Sequence, residues 1–233
     1  MLHLMINDFK LIFRDASLRT FLVVPLIVFL IVLVALPRLL ASYAVVADFV
    51  PVVLMGALMQ CSTMFGFIYS MVFIEEKELE VVSVYGVAPI AKWPFVASRL
   101  IAPTLFSLLF TFLLVAMQPF YEIHWLSNLA LSLSAALLMP IMAILTAGVS
   151  KNKIEGMTWY KIFNLLVNLP LLAYFVPEVY AHLFGILPTH WTFWSLHEGI
   201  EGSFLPWTIA IAFIYLIAMV TGLTWRFSKR HYT

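Results

Sequence analysis

Residue types able to do chemistry are sparse in this chain and collect in three places. The longest charged stretch, EEKELEVVSVYGVAPIAKWPFVASR (Glu75–Arg99), holds seven of the 25 formal charges, with 26 uncharged residues before it and 22 after it. Its order is an acidic helix, a turn and a short helix bearing Lys and Trp, which suits a docking surface for a soluble partner; an ordinary solvated connector fits the same pattern. The second place is HEGIE, His197–Glu201. HExxH sets two histidines on one helix face to bind zinc, but here Glu201 stands at the second position. A metal cluster of His190, His197, Glu198 and Glu201 is one reading, and a wet interfacial helix with ordinary polar residues is the simpler one. The third is a pair of polar stripes at helical spacing: Gly56, Gln60, Thr63, Phe67 and Ser70, and Lys161, Asn164 and Asn168. An Asn side chain in lipid leaves donors and acceptors unsatisfied, so both Asn residues must face protein or a cavity. Helix–helix hydrogen bonding and the lining of a pathway explain the stripes equally well, and the two coexist if the lining lies at a dimer interface.

Several chemistries are excluded. None of the nine glycines lies in a GxxxxGK context followed by Ser or Thr, so the chain has no loop to cradle nucleotide phosphates and is not expected to be an enzyme. No histidine falls within a long apolar window, which removes an intramembrane serine protease with its nucleophile–base pair. Carboxylates at mid-membrane cost about 2.5–3.5 kcal/mol each on insertion scales and mark ion coupling; none lies in a window core, and Asp48 sits at an edge. The lone Cys61 offers neither a disulfide framework nor a Cys metal site.

The elements that must position these residues are membrane helices. The chain is 64% hydrophobic and 11% charged, against about 25% charged in soluble domains. Six uncharged or nearly uncharged windows approach or exceed the roughly 20 residues of a bilayer span: Thr20–Pro37, Phe49–Ile74, Leu100–Tyr121, Trp125–Ser150, Met157–Pro177 (interrupted by Lys161) and Gly202–Trp225. These spans leave no room for an extra soluble domain, so residues 1–233 read as a single membrane domain. With the amino terminus inside, the inner segments carry 12 of the 13 Lys and Arg residues and the outer ones only Arg38. By the positive-inside rule both termini are cytoplasmic.

Residues 1–19 read as an amphipathic helix, with Leu2, Met5, Phe9, Ile12 and Ala16 on one face. It either lies in the inner membrane surface or extends span 1. Gly86 and Pro89 break the acidic helix that continues span 2, and Ala91–Arg99 re-enters as a short helix before span 3. Residues 178–201, with Tyr180, Phe184, Trp191, Phe193 and Trp194, are too aromatic for a solvated loop. One or two short helices dipping back toward the bilayer are expected there.

These features together resemble the membrane subunit of type-2 ABC (ATP-binding cassette) transporters. The family typically shows an acidic–basic–acidic cluster after span 2, then a Pro and a basic–Trp pair, matched here by Glu76-Lys77-Glu78, Pro89 and Lys92-Trp93. Glu80-Val81 replaces the family's frequent Gly-Thr. LPTHW (Leu187–Trp191) is similar to a second element, and NKIEG with LPTHW is similar to a subgroup labelled drug or fluoroquinolone export permeases. The resemblance implies an all-α fold of six transmembrane helices with an interfacial leader, a coupling helix and outer re-entrant helices. It implies a prokaryotic plasma (inner) membrane exporter of a hydrophobic or amphipathic substrate. Two such subunits, alike or different, would pair over two separate ATPase subunits, which would hold ATP and Mg; this chain would bind no cofactor and no nucleic acid, and membrane lipid would surround it. Glu76, Glu78, Tyr85, Gly86, Val87, Ala88, Pro89 and Lys92 would form the ATPase-coupling set. Gln60, Thr63, Phe67, Asn164 and Asn168 would line the substrate path between spans 2 and 5. A membrane scaffold or sensor that only recruits a cytoplasmic partner is the alternative.

Overall fold

Long apolar runs with few helix breakers leave the backbone one way to satisfy its N–H and C=O groups away from water, which is to close them within each segment. The computed structural model describes residues 8, 10–81, 91–203 and 206–231, and no strand occurs among them. Five helical segments are long and apolar enough to cross a membrane. They are α1 (Ala16–Ser42), the segment Ala44–Glu78, α3 (Lys92–Met117), α4 (Trp125–Val149) and the segment Pro206–Lys229. In the second, a 3-10 turn over Ala44–Phe49 leads into α2, Val50–Glu78; the last belongs to α7, Pro206–His231. The remaining long elements are α5 (Lys153–Asn168) and α6 (Pro188–Ile200).

The expected fifth span is not one uninterrupted helix. α5 ends at Asn168 and a 3-10 stretch, Leu169–Phe175, continues it. Pro170 lacks the N–H that would bond the Leu166 carbonyl, and the Asn168 side chain donates to the Asn164 carbonyl at 2.8 Å in competition with the backbone ladder. Sixteen residues of α-helix reach about 24 Å, short of a core of about 30 Å.

Three other boundaries differ from the sequence reading. The leader does not run through Arg19: Asp15 breaks it, accepting from the Ser17 and Leu18 backbone N–H groups at 2.9 and 3.3 Å and so capping α1. α2 stops at Glu78, well before Gly86, because Glu80 takes a left-handed backbone (φ 57°) that ends the helix. Ala91–Arg99 is no separate re-entrant helix, for α3 runs unbroken from Lys92 to Met117. The expected coupling residues Tyr85, Gly86, Val87, Ala88 and Pro89 lie outside the described residues. Between α5 and α7 the chain forms Glu178–Ala181, a 3-10 turn His182–Ile186 and α6.

α2 is the central post, buried on nearly every face and carrying the fully buried Cys61; a helix apolar all round belongs in the interior. α4 packs along it, 72% of its most apolar window buried, whereas the figure for α1 at the periphery is 22%. In α1, Pro37 removes the donor to Leu33, and the ladder slips into a π-helical turn over Ile31–Ala35.

Two glycines let helices approach α2 closely. A Cβ at Gly66 would sit 2.7 Å from the Met139 carbonyl oxygen and 2.7 Å from the Met142 Cβ, on α4. A Cβ at Gly156 would meet only side-chain ends, Ile74 Cδ1 at 2.6 Å and Met71 Cε at 2.8 Å. Gly66→Ala therefore forces the α2 and α4 backbones apart and should cost roughly 1–3 kcal/mol, while Gly156→Ala is the milder change. Thermal unfolding of both variants in lipid nanodiscs checks the order; a Gly66→Ala protein as stable as wild type contradicts this packing.

Candidate functional site

The strongest charges in the structure meet at the Glu75 end of α2. The Arg99 side chain, 1% exposed, makes a two-pronged pair with Asp8 (Nη2–Oδ1 2.7 Å, Nε–Oδ2 2.9 Å) and reaches Glu76 Oε2 through Nη1 at 2.8 Å. The Tyr69 hydroxyl donates to Asp8 Oδ2 at 3.3 Å, and the guanidinium lies 4.8 Å from the Phe73 ring centre. Planar bidentate pairing is what guanidinium geometry favours. Glu76 therefore faces the interior, where it joins α2 to α3, and Asp8 ties the leader to both.

The rest of the EEKE cluster binds other elements. Lys153, at the start of α5, reaches Glu75 Oε2 at 3.0 Å and Asp15 Oδ2 at 2.9 Å, and its backbone N–H donates to Glu78 Oε1 at 2.9 Å. The hydrogen bond from Lys153 holds the Asp15 carboxyl below its ordinary range, against partial burial. Lys77 Nζ donates to the Ala147 and Ser150 carbonyls, both at 2.8 Å, at the last turn of α4, where a cation offsets the helix dipole. Four consecutive side chains thus fasten α2 to α3, α4 and α5, while Lys153 and Arg99 carry the connection on to the cap of α1 and to the leader. Lys92, half-buried, opens α3.

The sequence reading missed this junction. It took Glu76 as a docking residue and gave Arg99 no partner. The signal available was that Glu76 and Arg99 each border an apolar window on the same expected side.

Further along α2, the structure brings all five expected pathway residues together at the seam with α5. Thr63 Oγ1 donates to Asn164 Oδ1 at 3.3 Å, Asn164 Nδ2 to Gln60 Oε1 at 3.3 Å, and Asn168 Nδ2 to Asn164 Oδ1 at 3.1 Å. The Phe67 ring lies 4.6 Å from that of Tyr160, whose hydroxyl donates to Thr63 at 3.5 Å. Tyr160, four residues before Asn164, is the member that sequence reasoning omitted. Thr63 and Phe67 are buried, whereas Gln60, Asn164 and Asn168 are half-buried; Lys161 is exposed. The seam therefore packs the two helices and still presents amide groups at its edge.

At the Met55 end of α2, about 30 Å from Glu75 at the helical rise, lies a cavity of about 460 Å³. Its walls include Tyr174, His182, His190, Trp194, Glu198 and Trp207. His182 Nδ1 lies 3.4 Å from His190 Nε2, and Thr208 donates to Glu198 at 2.7 Å. His190 is 1% exposed and its Nδ1 has no hydrogen-bond partner. Burial, then the neighbouring His182, push its pKa down to about 4. Among the described residues no group of three or more His, Cys, Asp or Glu is placed to hold a metal, which sets aside the His190, His197, Glu198 and Glu201 cluster.

Comparison with known proteins places this architecture. Residues 8–224 match the family described as fluoroquinolones export permease protein Rv2686c-like. The chain belongs to that family. The chain is also 29% identical over 109 residues to two proteins of Mycobacterium tuberculosis, fluoroquinolones export permease protein Rv2686c (strain ATCC 25618 / H37Rv) and fluoroquinolones export permease protein MT2760 (strain CDC 1551 / Oshkosh). That match spans 45% of the chain and 42% of each relative. No solved structure matches it. Five apolar helices and this membership make it an integral membrane protein of an export family.

Two outcomes follow for the permease. Arg99→Met strands two carboxylates in a dry site and should cost roughly 3–5 kcal/mol. Asp8→Asn should release the leader, read as faster tryptic cleavage at Lys10 and Arg14; unchanged cleavage contradicts the latch. Separately, an unfolded His190 takes a proton near about 6.5 and the folded one only near 4. Stability should therefore fall as pH drops from neutral toward 4, and His190→Gln should flatten that melting-temperature profile.

Proposed function

We propose that this permease is the membrane-spanning subunit of an ATP-driven exporter, working as a pair, homodimeric or heterodimeric, over two separate ATPase subunits. In this reading α5 with its 3-10 continuation is a sixth crossing. The Glu75 end of the bundle and both termini face the cytoplasm of a prokaryotic inner membrane, as the distribution of 12 basic residues against one supports. The chain hydrolyses nothing itself; ATP and Mg belong to the partner.

The observation that carries this reading is the junction at Glu75–Glu78. The segment Tyr85–Lys92, which would dock in the ATPase, follows Glu75–Glu78 in the chain, and those four residues bond α3, α4 and α5 directly and reach the cap of α1 and the leader through Lys153 and Arg99. A push that reached Glu75–Glu78 would pass to α3, α4 and α5 through short charge-assisted bonds. The nucleotide-driven closure of the partner would then shift the population between inward- and outward-open states. The α2–α5 seam, with Gln60, Thr63, Phe67, Asn164 and Asn168, would line the path at the pair interface. Its mixture of amide and apolar groups suits a hydrophobic or amphipathic substrate, drug or lipid-like, in keeping with the names of the M. tuberculosis relatives.

The test is co-purification with the ATPase in lipid and measurement of substrate-stimulated ATP hydrolysis. Pro89→Gly with Lys92→Glu should lower stimulation several-fold while membrane insertion stays intact. Asn164→Leu with Asn168→Leu should impair transport more than assembly. Full stimulation in the first variant rules out docking at this segment, and equal loss of transport and assembly in the second reduces the seam to packing.

A further inference from the structure

We propose that the aromatic cavity at the Met55 end of the bundle is a binding site for an organic cation, an alkyl- or arylammonium or a phosphonium of drug size. Its volume of about 460 Å³ falls within the range of about 300–1,000 Å³ typical of small-molecule sites. Tyr174, Phe193, Trp194 and Trp207 line it, and the faces of such rings attract cations, most of all those that carry little bound water.

The electrostatics have the matching sign. Glu198 and Glu201 are both on the wall, and no Lys or Arg is among the described residues that line it. The carboxyl end of α6, at Ile200 and Glu201, opens at the same place, where the helix dipole also favours positive charge. The three lining histidines do not cancel this by forming a metal centre. His190 stays neutral at physiological pH, because burial and His182 both oppose its protonation. Its buried Nδ1 has no hydrogen-bond partner.

The location gives the site a use. Met55 belongs to both the cavity wall and α2, next to Gly56 where the stripe through Gln60 begins, and Pro170 and Tyr174 follow Asn168 on the neighbouring segment. The cavity therefore lies beyond the end of the α2–α5 seam on the same two segments. The role in export rests on the reading given under the proposed function; the binding itself does not.

The experiment uses the full chain in nanodiscs of zwitterionic lipid, without ATPase or ATP, so that failure of binding and failure of coupling are separate results. Tetraphenylphosphonium is titrated calorimetrically against empty-disc controls, with tetraphenylborate as an anion of the same shape. The cation should bind saturably and at least about fivefold more tightly than the anion. Glu201→Gln, at an exposed position where the carboxylate lies 3.4 Å from His197 on the same helix, should weaken cation binding about threefold, and Trp194→Leu should weaken it more than Trp194→Phe. Equal or tighter binding of the anion overturns the proposal, as does cation binding unchanged in both Glu201→Gln and Trp194→Leu.

Discussion

A guanidinium cannot shed its charge, so burying one obliges the protein to build its surroundings. Arg99 meets that requirement with the carboxylates of Asp8 and Glu76, the Tyr69 hydroxyl bound to Asp8, and the ring of Phe73. The desolvation of such ions is costly and is offset only when geometry and hydrogen bonding are complete. Completeness here requires three separate segments of the chain at once: the leader, the end of α2 and the start of α3. The positions of those segments relative to one another follow from this one cation. The neighbouring contacts of Lys77 and Lys153 extend the constraint to α4, α5 and the cap of α1. In a bilayer, van der Waals packing and interhelical hydrogen bonds hold helices together, as where Gly66 lets α4 seat closely on α2. The ionic junction adds a directional tie at the Glu75 end.

The two ends of α2 therefore have contrasting character. At one end short bonds to charged groups fasten several elements. At the other the cavity is walled by aromatic rings and imidazoles, with polar contacts that run from 2.7 Å between Thr208 and Glu198 to 3.4 Å between His182 and His190. Between them the amide seam supplies hydrogen bonds of ordinary strength between helices, each worth on the order of 1 kcal/mol within a membrane.

Much of this was legible in the sequence, and the reasons differ by feature. Span positions follow from apolar runs, and the seam follows from residues at three- and four-residue spacing, which a helix stacks on one face. Gln60, Thr63, Phe67, Asn164 and Asn168 meet for that reason. The ion triad was hidden because its members lie 23 and 91 residues from Arg99, and no local pattern pairs such residues. The end of α2 was misplaced because a residue with a side chain, Glu80, takes the left-handed corner usually given to glycine. The interruption after α5 needed the joint action of Asn168 and Pro170, each tolerable alone in a helix end.

Cys61 lies sealed within α2 with none of its surface reachable by solvent, and the chain has no other thiol. Soluble maleimides and spin labels need an accessible thiolate, so the wild-type sequence is already a silent background for them. Single cysteines introduced at exposed positions on either end of the bundle can report distances and sidedness with no prior removal of a native one.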